Sequence, residues 1–373
     1  MRIGILTLPL HTNYGGILQA YALQTILERM GHEVRIFKFN HTSCKPIYLL
    51  PFILPFRIWK RFILKRTKTA ILPEWRINYI HPRIRKYTQP FIDKHIHQIN
   101  INNTDEILSM DYDAIIVGSD QIWRPSYFSQ IENAYLGFTK GWDIKRIAYA
   151  VSFGVDYWEY TEQQTSKCKE LIRNFDYISI REKSGVVLCK QKFNIQAEQM
   201  IDPTCLLTKE DYINLLNDKT IDSTKGKLMA CILDETEKTN EIISYYAKQK
   251  GLTQFRINAD PDNNKLPLKR RIQPSVETWI KGFMNADFII TDSFHGCIFS
   301  LIFNKPFIVI ENSQRGSTRF YSLLEQFELS HIIVNDIKDC YQLDLSFDYN
   351  KINNIMNKFR NLAKTTLSHH LNN

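Results

Sequence analysis

The sequence predicts an α/β fold of two Rossmann-like domains facing a cleft, with a basic insertion in the first. Three observations carry that expectation. The N-terminus opens with a strand, glycine turn, helix, strand unit. Further short apolar runs each end in polar or glycine residues. The length of 373 residues exceeds one ordinary core and suits two domains of about 150 to 200 residues each. The expected boundaries are 1–205 for the first domain, with its insertion at about 41–110, then 206–345 for the second. Residues 346–373 form a closing helix that crosses back onto the first domain.

Residues 2–8 read as a buried strand, followed by the polar turn His11-Thr12-Asn13-Tyr14-Gly15-Gly16. From Ile17 to Met30 the apolar positions 17, 20, 23, 27 and 30 have helical spacing, and Gly31 supplies the stop. Glu33 to Phe39 is the next strand. The sheet resumes at Ala114 to Val117, Arg146 to Val151, Tyr177 to Ile180 and Glu198 to Ile201. Their tips are Gly118-Ser119-Asp120-Gln121, Ser152-Phe153-Gly154, Arg181-Glu182 and Asp202-Pro203-Thr204. Ligands of open parallel sheets bind outside the carboxyl ends of strands, so the chemistry is expected at these tips. Asp202-Pro203 reads as the hinge. Beyond it the expected strands are Leu228 to Leu233, Leu252 to Ile257, Asp287 to Thr291 and Pro306 to Glu311. They alternate with helices Thr239 to Lys250, Val276 to Ala286, Gly296 to Phe303 and Thr318 to Glu328. An amphipathic helix over 351–367 closes the chain.

With 44% hydrophobic and 23% charged residues the chain is globular. Seven cysteines are scattered without a CxxC pair or zinc-ligand spacing, as expected of core residues in a reducing cytoplasm. No metal cluster is expected. The start lacks the cleavage site of a secretory leader. The most apolar segment, Ile47 to Phe56, holds Pro51 and Pro55 and falls short of the roughly 18 residues that span a bilayer. The formal charge of +9 is local: residues 45–86 carry eleven Lys and Arg against one acid, Glu74, which is more than the whole excess. Aromatics are interleaved there, among them Phe52, Phe56, Trp59 and Phe62. That mixture suits an anionic membrane surface or a lipid-linked phosphate, or a solvated insertion packing one side on its domain. No nucleic-acid motif accompanies it, so nucleic acid is not an expected partner. The expected location is cytoplasmic, with peripheral contact at the inner face of the plasma membrane.

Four sites could carry chemistry, and each has a plainer structural alternative. Asn13, Tyr14, Gly15 and Gly16 sit at a helix N-terminus, where free amides suit an anion, or where glycine only shapes the turn. Asp120, Gln121 and Trp123 follow a strand, where the carboxylate could accept from a sugar hydroxyl and the indole stack on a ring. The alternative is a capping Asp and a core Trp. Arg181 is shaped to grip phosphate or carboxylate, or pairs with Glu182. In Asp292-Ser293-Phe294-His295-Gly296, His295 at a helix start is a candidate proton donor or phosphate ligand, or a His bonded to backbone. Arg315 and Arg319 could add positive charge nearby.

Five motifs occur in order: Asn13-Tyr14-Gly15-Gly16, Gly118-Ser119-Asp120-Gln121-Ile122-Trp123, Ile180-Arg181-Glu182-Lys183-Ser184, Asp202-Pro203-Thr204 and Ser293-Phe294-His295-Gly296. Together they resemble the polysaccharide pyruvyl transferase family over roughly 2–40 and 112–328, with the basic stretch outside the match. The resemblance implies a GT-B-like fold and phosphoenolpyruvate as donor, with no further cofactor. It also implies transfer of pyruvate to two hydroxyls of one sugar in a bacterial surface polysaccharide repeat, giving a ketal. His295 then matches the family's catalytic or donor-binding histidine, and Arg181 a donor-binding arginine. Ser293, Phe294, Gly296, Arg315 and Arg319 are assigned to the donor. Asp120 is assigned to catalysis at the acceptor, and Asn13, Tyr14, Gly15, Gly16, Gln121 and Trp123 to acceptor binding. Where better-studied members have Arg-Leu before the histidine, this chain has Ser293-Phe294, so Arg315 or Arg319 substitutes or the branch uses another substrate. The acceptor is expected to be lipid-linked. The rival readings are a GT-B glycosyltransferase using a nucleotide sugar and a non-catalytic membrane-associated scaffold of polysaccharide assembly.

Overall fold

The computed structural model describes residues 1–39, 49–63, 75–216, 224–312 and 316–372. Seven strands form the first sheet: β1 Arg2–Leu6, β2 Glu33–Phe39, β3 Gln98–Ile101, β4 Ala114–Gly118, β5 Lys145–Val151, β6 Tyr177–Ile180 and β7 Glu198–Gln199. Five form the second: β8 Leu228–Cys231, β9 Gln254–Phe255, β10 Phe288–Thr291, β11 Phe307–Ile310 and β12 Ile333–Val334. The orders are β3-β2-β1-β4-β5-β6-β7 and β12-β11-β10-β8-β9, and every pairing is parallel. Such strands are covered on both faces and therefore read as continuous apolar runs. In Ala114–Gly118 and Phe288–Thr291 all residues are buried. Ile3 pairs with Val34 on one side and Ala114 on the other. The chain direction across the first sheet reverses there, which opens a crevice at the carboxyl ends of β1 and β4.

Helix Tyr14–Arg29 joins β1 to β2. In the second half, helix Val276–Asn285 leads into β10, and helix Phe294–Ile302 is buried along its whole length. One apolar core takes residues from all three helices, so the halves are joined by packing as well as by the chain. Tyr14 stacks on Trp279 at 5.2 Å between ring centres, and Tyr212 meets Phe299 at 4.8 Å. The closing helix, Tyr349–Asn372, returns to the first half. Arg360 donates to the carbonyls of Cys205 and Leu207, both at 2.9 Å, and His370 stacks on Tyr177 of β6 at 4.3 Å.

Two strands escaped the sequence reading. Gln98–Ile101 lies within the stretch read as insertion and extends the sheet beside β2, pairing Ile36 with Gln98. Ile333–Val334 extends the second sheet beside β11. Both are edges, where one partner suffices and apolar patterning is weak. The strands expected over 198–201 and 252–257 are shorter, with only Glu198–Gln199 and Gln254–Phe255 in the ladders. Within the basic stretch, helix Leu50–Phe62 has no buried residue. The following short helices His81–Ile84 and Gln89–His95 bury Ile84, Phe91 and Ile92. Gln24 ties them to the first half, donating to the His95 carbonyl and accepting from the His97 amide. Among the described residues no helix is long and apolar enough to cross a membrane.

Candidate active site

Arg181 follows β6, and its side chain is only 2% exposed. Its Nη1 donates to Asp202 Oδ2 at 2.8 Å, and Nη2 lies 3.6 Å from Asp120 Oδ1. Its partners are thus Asp202 and Asp120 rather than the adjacent Glu182. Glu182 instead accepts from Ser152 Oγ and the amides of Phe153 and Gly154, fixing the tip of β5. Burial opposes the charge on Arg181, and the three neighbouring acids outweigh it. Asp202 also accepts from Ser119 Oγ, Thr204 Oγ1 and the Thr204 amide. Burial alone would raise its carboxyl, but His295, Arg181 and Thr204 hold it well below the usual carboxylate range.

His295 reaches the same carboxylate from the second half, its Nε2 3.6 Å from Asp202 Oδ2, just beyond hydrogen-bond reach. The ring sits against Gly15: a Cβ there would lie 2.0 Å from His295 Nδ1. Glycine is required at this position because another helix start occupies its side-chain space. Phe294 lies under Arg181, whose guanidinium is 4.4 Å from the ring centre, and Arg319 approaches the same ring at 5.8 Å. Burial first and then Arg181 push Arg319 down to about 10, which leaves it charged at neutral pH. Among the described residues, Arg181 Nε, Arg181 Nη2 and His295 Nε2 are buried nitrogens with no hydrogen-bond partner. Unsatisfied buried polar atoms are uncommon, and these three are where a ligand's polar atoms would be accommodated.

Several sequence assignments change. Trp123 is fully buried, donates to the Ala134 carbonyl at 2.9 Å and stacks on Tyr135, so it is a core residue with no face left for a sugar. Gln121 accepts from Arg124, itself paired with Glu159 at 2.8 Å, and lies against Gly154. Asn13 caps its helix by accepting from the Gly16 amide, which uses an N–H that an anion would have taken. Tyr14 donates to the Pro274 carbonyl and packs on Trp279 at the joint between halves, while Asn13, Tyr14 and Gly15 also line the cavity beside His295, as an acceptor-binding role requires. Ser293 caps helix Phe294–Ile302 through the Gly296 amide, and Gly296 backs onto Thr291 Oγ1, so both shape the turn. Asp120 faces Arg181 rather than an open acceptor position. Arg315 lies outside the described residues.

A cavity of about 350 Å³ opens beside His295, lined among others by His11, Gly15, Asn258, Asp260 and Ser293. Gln273 holds its wall: the side chain donates to the Thr12 carbonyl and accepts from the Ala259 amide, and the backbone amide donates to Ile84. The sequence reading missed this residue, because a glutamine in a loop has no local signature. It also read Asp202 as a hinge, although that carboxylate is the hub where both halves meet.

No curated protein matches the chain. Among solved structures it is similar to UGT89C1 of Arabidopsis thaliana, solved with UDP-L-rhamnose: TM-score 0.53, 8% identity, covering 99% of this chain and 98% of that one. UGT71G1 of Medicago truncatula, solved with UDP-glucose, gives TM-score 0.50 at 9% identity, covering 100% and 98%. At such identity the likeness is one of fold, the GT-B arrangement of two facing Rossmann-like halves. The family model described as polysaccharide pyruvyl transferase matches residues 13–314, a span that holds Arg181, Asp202 and His295 and ends before Arg319. With most of its length matched and its motif residues gathered at one buried point between two facing sheets, the chain belongs to the polysaccharide pyruvyl transferase family.

Proposed function

We propose that the protein transfers pyruvate from phosphoenolpyruvate to two hydroxyls of one sugar in a bacterial surface polysaccharide repeat, releasing inorganic phosphate. The observation that supports this best is the meeting of Arg181 and His295 at Asp202, with three of their buried nitrogens unsatisfied among the described residues. A small, highly anionic donor has the oxygens such groups lack. Arg181 and Arg319 supply its countercharge, and Phe294 braces both guanidiniums. The Asp120 contact, at 3.6 Å, is long enough for a ligand to displace.

His295 is assigned to proton transfer. A proton delivered to the donor's CH₂ carbon makes C2 electrophilic, and one sugar hydroxyl adds there. The second hydroxyl closes the ring as the C2–O bond to phosphate breaks, so each hydroxyl loses its proton and one phosphate leaves per ketal. Ionised Asp202 beside Nε2 fixes the ring's orientation. The sugar is assigned to the cavity beside His295, where apolar faces such as Trp279 adjoin polar groups such as Asn258 and Asp260.

The test is phosphate release from purified protein with phosphoenolpyruvate and a panel of lipid-linked sugars. His295→Asn should lower turnover by about 10² to 10⁴, the usual worth of a positioned general acid, with unchanged unfolding. Unaltered turnover would remove His295 from the mechanism. A melting shift with phosphoenolpyruvate supports pyruvyl transfer, whereas a shift with uridine diphosphate and none with phosphoenolpyruvate favours the nucleotide-sugar reading.

A further inference from the structure

We propose that His11, Arg76, His81 and Arg85 form a second anion site, which binds a phosphoryl group carried by the acceptor at the outer end of the His295 cavity. The inference rests on reading that cavity as the acceptor's place. A recess of about 130 Å³ is lined by these four residues with Thr12, Ile84, Pro261 and Asp262. His11, Thr12, Pro261 and Asp262 also line the larger cavity, so the two spaces adjoin. The recess is below the roughly 300 Å³ of a small-molecule pocket, which suits one substituent of a larger ligand.

The chemistry of the recess selects an anion. Arg76 Nε donates to His81 Nε2 at 3.2 Å, and the Thr12 amide donates to His11 Nδ1 at 2.9 Å. A neutral imidazole that accepts at one nitrogen carries its hydrogen on the other, so both rings retain a donor. Burial and then the two arginines lower the pKa of His81, and burial and then Arg85 lower that of His11. Among the described residues, Asp262 is the one acid lining the recess. It is 92% exposed and 3.8 Å from Arg76, too solvated to neutralise two guanidiniums. The planar fork of each arginine matches phosphoryl oxygens. The walls are braced by Gln273, which reaches both Ile84 and Thr12, so the groups are placed before a ligand arrives.

Phosphoryl groups on an activated sugar come from a prenyl diphosphate or a nucleoside diphosphate, and the test keeps these apart. Binding of farnesyl diphosphate and of uridine diphosphate to the full-length protein is measured by calorimetry for the wild type, Arg76→Gln/Arg85→Gln and Arg85→Lys. At least one diphosphate should bind the wild type and weaken about tenfold or more in the double variant, with a smaller loss in Arg85→Lys, which keeps the charge but not the fork. Whichever diphosphate responds names the source. Equal affinity in wild type and double variant, or no binding of either diphosphate to the wild type, overturns the site. The melting shift with phosphoenolpyruvate is followed in the same proteins and should survive in the double variant. Its absence from the wild type would count against the donor reading alone.

Discussion

Gly15 and Asp120 show how single residues determine the site. Asp120 adopts φ of 64°, a left-handed conformation that aspartate tolerates better than most residues with a Cβ, and its carbonyl accepts from the Ser152 and Ile122 amides. A left-handed aspartate at a strand tip persists only where its surroundings enforce it, and such positions gather at functional sites. Gly15 is constrained from outside, by the ring of His295. In Gly15→Ala the new methyl must displace that ring, since it would lie 2.0 Å from His295 Nδ1. Overpacking of this kind costs about 1 to 3 kcal/mol. Displacement of a reacting group by about 1 Å can cost about a hundredfold in rate. Gly15→Ala should therefore lose turnover by about a hundredfold as well as stability, which phosphate release and denaturant titration would measure together. Equal turnover would place His295 away from the reaction.

At the scale of elements, the carboxyl end of helix Tyr14–Arg29 is pinned to the linking segment through Arg29 and Asp211, at 2.7 Å. Asp211 also closes the capping box of the short helix Lys209–Ile213. Burial would raise its carboxyl, but Arg29 and Thr208 bring it down to about 2. A carboxyl depressed on folding contributes stability above its unfolded pKa of about 3.9 and loses it as pH falls through the folded value. Because Arg29 is half exposed, screening leaves about 1 kcal/mol of this. Asp211→Asn should thus destabilise by about 1 kcal/mol at pH 7, and the gap to wild type should narrow to roughly half by pH 3. A gap independent of pH in urea titrations would assign the effect to the cap alone.

At the scale of the molecule, helix Leu50–Phe62 buries no residue, with Phe52 79% and Phe62 64% exposed and the half-buried Arg57, Lys60 and Arg61 along the same helix. We propose that it touches an anionic membrane, where each basic residue contributes about 1 kcal/mol. Replacing Arg57, Lys60 and Arg61 with Gln should weaken binding to phosphatidylglycerol vesicles by roughly two orders of magnitude, read by co-sedimentation. Equal sedimentation before and after would exclude that contact. Lys65 and Arg66, in the same basic run, lie outside the described residues. Helix Tyr349–Asn372 does the opposite: it closes the molecule by returning through Arg360 and His370 to the first half. Much of this frame was legible locally. Buried parallel strands such as Ala114–Gly118 must be apolar throughout, and a helix stops where Gly31 follows it, so period and punctuation located the central strands. The edge strands Gln98–Ile101 and Ile333–Val334 were not legible, since one neighbour imposes little pattern. Nor could local pattern tell that Trp123 is enclosed, that Gln121 serves Arg124, or that the anion-binding amide at Gly16 is already capped. The amino-acid sequence by itself determined the α/β class, the strand tips where chemistry collects and the candidacy of Arg181 and His295. Only the tertiary structure decided that these two share Asp202, because a contact between residues far apart in the chain depends on how two sheets pack, and no local periodicity records that.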